Sequence, residues 1–314
     1  MKSIYKSIIL FVVFILIGSF TWSEELKKEY FTIEYEPSDA KFAKKIAERF
    51  PSIIAETNKN VGFYSSDRFK IIIVHSKAKF KEMIESSSRL PEKSLALAIP
   101  SQSTMIALNP PSMPAKTDYF KVLTHEYLHL LLSEVKGDIH VPLWFNEGFV
   151  QYFAGQWSFT REVEFVMRAL QGKSLNLNLY NYRYPDHNSH VQTFYMQSYY
   201  TFKKLVTSYS LREVQRFLDD LSEQKDFRTY FLSFFGVSVR KFLERARESI
   251  PSHIILSVFY SGFGIIWVII PIILIVAFIR KKYVAKRIEE EWEKMEEEER
   301  EFQVPDYEII DNEE

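Results

Sequence analysis

The stretch His125-Glu126-Tyr127-Leu128-His129 decides how this chain is read, together with Trp144-Phe145-Asn146-Glu147-Gly148, whose Glu147 stands 18 positions after His129. On an α-helix, residues four apart project from one face, one turn apart. His125 and His129 can therefore offer both imidazoles to a single metal ion such as zinc, which holds His nitrogen at about 2.0–2.1 Å. Glu126 points roughly 100° further round the helix. From there it can reach a metal-held water from the side and take its proton without ligating the metal. The surrounding helix is apolar nearly all round, with Phe120, Val122 and Leu123 before the motif and Leu128 to Leu132 broken only by His129. Three ionisable groups in a buried helix are costly without partners, and a metal with its water would supply them.

A catalytic zinc needs a third protein ligand and one open position. Glu147 is a lone charge among Leu143, Trp144, Phe145, Phe149 and Val150, on a helix that follows by a short connection. A carboxylate in that setting should be paired or metal-bound. His140, in the turn before Pro142, is the rival third ligand. The chain has no cysteine, which removes disulfides, thiolate ligands and a cysteine nucleophile. Its formal net charge of -1 gives no reason to expect a nucleic-acid partner.

Outward from the motif, the chain divides near residue 112. The earlier part mixes α and β patterns. Tyr30–Tyr35 alternates as a strand, Phe69–Val74 is a β-branched run suited to a buried strand, and Leu95–Ile99 and Thr104–Leu108 read as two short strands. Asp39–Asn60 and Lys77–Ser88 carry helical spacing, and Pro51 is a candidate break in the first. After Asn109–Pro114 the chain turns helical. Asp118–Val135 is expected as one helix, with Thr117 as N-cap and Gly137 just past its end. Pro142 opens the next, to about Ala154, and further helices are expected at 160–171, 192–208, 211–221 and 237–248. Gln171–His190, rich in Asn and Tyr, reads as a loop. Its Arg183, His187 and His190 are expected to be solvated rather than cleft-lining.

HEYLH followed by WFNEG resembles the gluzincin metallopeptidases, in particular the peptidase-MA-like domains related to M1 aminopeptidases. The resemblance implies a thermolysin-like α+β domain, with an N-terminal mixed sheet and a C-terminal helical half. It implies one Zn2+ held by His125, His129 and Glu147, Glu126 as general base, and hydrolysis of a peptide or protein substrate. Phe194-Tyr195-Met196-Gln197-Ser198 is similar to the segment whose tyrosine steadies the developing oxyanion in those families, which would make Tyr195 catalytic. Thr104–Leu108 falls where they place the edge strand over the cleft, where an extended peptide can pair. Four positions after Glu147 stands Gln151 rather than an acid; if it orients a histidine, it does so as a neutral group. The chain has no G-x-M-E-N segment upstream, so the resemblance does not extend to anchoring a substrate's free amine.

Two apolar segments set an expected topology. Lys2 and Lys6 precede the uninterrupted apolar run Ile8–Ile17, and small residues follow, which reads as a secretory signal or N-terminal anchor over 1–23. Ile254–Ile279 is uncharged over 26 residues, about 39 Å of helix, enough to cross a bilayer core of about 30 Å. Arg280, Lys281 and Lys282 suit a cytoplasmic flank. The expected layout is an exported zinc domain over 24–252, a transmembrane helix over 253–279, and a cytoplasmic tail over 280–314. The tail's acidic stretch Glu289–Glu301 reads as a solvated helix, with a surface for a cytoplasmic partner as the alternative. The rival to an enzyme is a non-catalytic, membrane-tethered binding module that keeps the fold.

Overall fold

The computed structural model describes residues 23–65, 67–84, 94–250 and 263–301. The signal reading and the first part of the expected span, 254–262, lie outside the described residues. The chain separates into two compact units, Met1–Pro251 and Ser252–Glu314.

The first unit opens with a five-stranded sheet. Its strands are β1 Glu24–Lys27, β2 Phe31–Tyr35, β3 Phe69–Val74, β4 Ala96–Ile99 and β5 Thr104–Leu108, in the order β1-β2-β3-β5-β4. The β2–β3 and β3–β5 pairs are parallel and the two outer pairs antiparallel, so the sheet is mixed. The strands β2 and β3 present Phe31, Ile33, Ile71 and Ile73 inward, every second residue. Helix α1, Ala40–Val61, lays Ala43, Ile46, Phe50 and Ile54 against them. Pro51 does not break α1: the helix runs through it and ends at Gly62 with φ +89°. Helix α2, Lys77–Ile84, is shorter than the sequence pattern suggests, and residues 85–93 are not described.

The resemblance placed the sheet edge at Thr104–Leu108. The structure corrects this: β5 lies between β3 and β4, and β4 is the edge. The cause is visible in composition. All five residues of β5 are buried, whereas Leu97, Ala98 and Ile99 of β4 are only partly covered. A strand buried on both faces belongs inside a sheet.

The helical half contains α3 Tyr119–Lys136, α4 Leu143–Phe153, α5 Phe159–Leu170, α6 Asn188–Tyr209, α7 Leu211–Asp219, α8 Phe227–Phe235 and α9 Val239–Glu248. The N-cap of α3 is Asp118, one residue beyond the expected Thr117; its Oδ1 accepts from Lys121 N at 3.3 Å. Gly137, at φ +55°, ends the helix. Helices α4 and α6 cross at Gly148. A Cβ built there would lie 2.5 Å from the Ser198 carbonyl oxygen and 2.7 Å from Phe202 Cβ, so only a glycine admits this approach. Around the crossing, Trp144, Phe145, Phe149, Phe202, Phe217, Phe227 and Phe231 form a fully buried aromatic core.

The second unit is described by α10, Phe263–Glu301. It carries the C-terminal part of the uncharged run, then pairs Lys286 with Glu290 and Arg287 with Glu291 one turn on. Among the described residues no helix is long and apolar enough to cross a membrane.

Candidate metal centre

Helix α3 delivers His125 and His129, and α4 delivers Glu147. One ligand atom from each lies within 4.8 Å of the others. The two imidazole Nε2 atoms stand 3.2 Å apart, and each is 3.8 Å from a Glu147 carboxylate oxygen. Two donors each about 2.1 Å from a common ion, at tetrahedral angles, sit about 3.4 Å apart. The observed spacings bracket that value.

Amide side chains hold both rings by their far nitrogens. His125 Nδ1 bonds Gln156 Oε1 at 3.1 Å, and His129 Nδ1 bonds Asn146 Oδ1 at 2.8 Å. With carbonyl oxygens as partners, each Nδ1 is the donor, and Nε2 is the nitrogen turned inward. Burial first, and His129 second, hold His125 well below the usual imidazole range, so its ring is neutral. Glu147 is 2 % exposed, and its Oε2 is buried without a hydrogen-bond partner. The Nε2 atoms of His125 and His129 and an unpartnered carboxylate oxygen thus converge. A divalent cation that takes nitrogen and oxygen ligands, zinc foremost, fits this donor set.

Glu126 is buried beside the cluster. Its Oε2 accepts the backbone N–H of Ala98, on edge strand β4, at 2.7 Å. Burial pushes its carboxyl up to about 7, although His129 and the Ala98 amide pull the other way. A carboxyl held there can both accept and release a proton near neutrality.

Tyr195, on α6, lines the same cleft. Tyr184 lines it too, and its hydroxyl donates to Glu147 Oε1. The two phenol rings lie 5.9 Å apart. Burial, then the neighbouring Glu147, raises both well above the ordinary phenol value, so both remain O–H donors. Burial also raises the Glu147 carboxyl, opposed by His129 and by the Tyr184 hydroxyl. The sequence reading missed Tyr184, Gln156 and Asn146. Gln151 bonds no histidine among the described residues. The Gln151 amide donates to the backbone oxygens of Glu147 at 3.2 Å and Tyr195 at 3.0 Å, and its Oε1 accepts from Arg161. Gln151 therefore ties α4 to α6 beneath the site.

The other sequence candidates fall elsewhere. His140 is exposed and packs on the Tyr182 ring at 4.7 Å. His187 and His190 face each other 6.0 Å apart, and Arg183 pairs with Asp186. The cleft holding the cluster has a volume of about 240 Å³, with β4 along one wall and α3 along the other. A larger hollow of about 610 Å³, between Leu179, Leu232 and Arg240, contains none of these groups.

No family model matches the chain, and no curated protein matches it. Solved structures do resemble it in part. One is native leukotriene A4 hydrolase from Saccharomyces cerevisiae, at 16% identity and a TM-score of 0.45, over 71% of this chain and 37% of that one. Another is an M1 zinc metallopeptidase from Deinococcus radiodurans, at 14% identity and TM-score 0.42, over 71% and 50%. A third is Legionella pneumophila aminopeptidase A in complex with aspartic acid, at 16% identity and TM-score 0.42, over 71% and 27%. The chain spans half or less of the length of each.

Proposed function

We propose that this chain is a zinc metallopeptidase, exported and held at a membrane by residues 254–279, that hydrolyses peptide bonds. One observation carries the reading: two inward Nε2 atoms and the unpartnered Glu147 oxygen converge in a cleft where a second buried carboxylate, Glu126, stands free of the trio. A purely structural site would not need that second acid.

Zinc, when bound there, supplies a Lewis acid for the substrate carbonyl and lowers the pKa of a water it holds. Everything else falls to the protein. Asn146 and Gln156 fix the two rings in the tautomer that ligates. The Ala98 N–H pins one oxygen of Glu126, leaving the other to take a proton from water and pass it to the leaving amine. Tyr195 offers an O–H group where negative charge would develop on the substrate oxygen, while the Tyr184 hydroxyl is committed to Glu147. The edge strand β4 offers backbone groups to an extended peptide. Since Leu95 O accepts from Leu108 N, odd-numbered residues of β4 turn their backbone toward β5, and Ala96 and Ala98 turn theirs to the cleft.

Membrane attachment is supported by the uncharged 26-residue run and the basic residues after it. The same reading puts the acidic tail on the cytoplasmic side.

The test uses the full 314-residue chain. Metal analysis should find one zinc per chain, and a peptide-library digest should show cleavage. Glu126→Gln should keep the zinc and lose roughly 10²–10⁴ of the rate. Zinc bound without turnover of any peptide would favour the non-catalytic module. A chain that binds no zinc would end the metallopeptidase reading.

A further inference from the structure

The cleft runs along α3 beyond the metal ligands. His125, His129, Ser133 and Lys136 all line it, spaced four, four and three positions apart on one helix face. On the opposite wall Ala96, Leu97, Ala98 and Pro100 follow the same course. Pro100 and Ser133 also line an adjoining hollow of about 170 Å³, so the groove continues past the zinc ligands at this end.

Lys136 is the only Lys or Arg among the described residues lining the cleft. Its stem is half-buried, and burial lowers its ammonium below the ordinary lysine value, partly opposed by Asp138. Nζ gives a proton to the Gly137 carbonyl at 2.9 Å, leaving donors of a three-proton group for another acceptor. Helix-end capping accounts for that one bond. It does not account for the placement on the stripe that carries both imidazoles.

Seven residues of helix separate His129 from Lys136, roughly 10 Å along the axis. An extended peptide covers that distance in about three residues. Resting on the metallopeptidase reading, we infer that Lys136 forms a carboxylate-binding subsite: the chain prefers peptides with a carboxylate, side-chain or C-terminal, about three residues from the bond cut. The two sources share one chemistry, and peptides can separate them.

The experiment uses the full chain loaded with zinc and a peptide cleaved at one known bond. One arm replaces Gln by Glu at each position in turn, and the other compares a free with an amidated C-terminus. The proposal expects one Glu position, or the free end, to raise kcat/KM roughly threefold to tenfold, chiefly through KM. In Lys136→Gln that preference should vanish. In Lys136→Glu it should turn toward Lys at the same position, and in Lys136→Arg it should persist. Arg preserves the charge and the helix-end bond, so a folding fault cannot imitate the pattern. A preference that survives Lys136→Gln, or none in the unaltered chain, overturns the subsite and leaves the peptidase reading intact. Failure to cleave any peptide overturns both.

Discussion

Replacing Gly148 by alanine should destabilise the domain and loosen its metal site together. The added Cβ would stand 2.5 Å from the Ser198 carbonyl oxygen and 2.7 Å from Phe202 Cβ. Ordinary contacts of these kinds need about 3.4 Å or more, so α4 and α6 must separate by most of an ångström. Neither obstacle is a flexible side-chain end: one is helix backbone and the other a Cβ on a buried helix. Forcing extra volume into a packed core costs about 1–3 kcal/mol, sometimes more, and alanine's better helix propensity returns about 1 kcal/mol. The difference is a net loss of about 1 kcal/mol, up to about 2 at the upper end. With a urea slope of about 2 kcal/mol/M, the midpoint should fall by about 0.5–1 M. Fluorescence of Trp144, fully buried on α4, reports the transition. Because Glu147 adjoins the crossing, zinc affinity should fall too, read by competition with a chromophoric chelator. A midpoint equal to or above that of the unaltered chain would refute this account of the α4–α6 contact.

Three further outcomes are expected. Asn146→Leu and Gln156→Leu each remove the oxygen that fixes one ring, and should weaken zinc binding roughly 10–100-fold in the same competition assay. Tyr184→Phe removes the donor to Glu147 Oε1; it should lower zinc affinity, whereas Tyr195→Phe should lower kcat at unchanged zinc content. The metal-free protein should lose stability as pH rises from about 10 to 12. Tyr127, 1 % exposed and donating to Asn58 Oδ1 at 2.6 Å, is pushed up to about 12 by burial, while an unfolded phenol ionises near 10. Between these values the unfolded chain has released a proton that the folded chain keeps, so rising pH favours unfolding. Tyr127→Phe should flatten that slope in urea melts taken across the range.

What was legible in the sequence was local. The pair His125 and His129 is fixed by helical period alone, and Glu147 stood out as a charge in an apolar run. The strands and the helices of the second half followed from period and turn chemistry, while the mixed sheet came with the resemblance. What escaped depends on distant parts of the chain. Tyr184 reaches Glu147 across 37 positions from a loop with no period. Gln156 reaches His125 across 31. Glutamines and tyrosines are common, and nothing in either segment marks one as a partner. Asn146 carried a faint signal, being a polar residue beside Glu147 on an otherwise apolar helix. The edge-strand error had a remedy in the sequence: Thr-Met-Ile-Ala-Leu has hardly a side chain suited to water, as an inner strand requires.

The hydrogen bond from Ala98 to Glu126 has a consequence for solubility. An open sheet edge will accept any extended chain, including another copy of itself, and proteins guard such edges by shortness, proline or an occupied amide. Here β4 is four residues long, Pro100 follows it, and Glu126 occupies one of its outward N–H groups. The residue assigned to the chemistry is therefore also a guard against self-association. An inactive variant made with alanine at this position would bare that amide, while one made with glutamine would keep an oxygen on it.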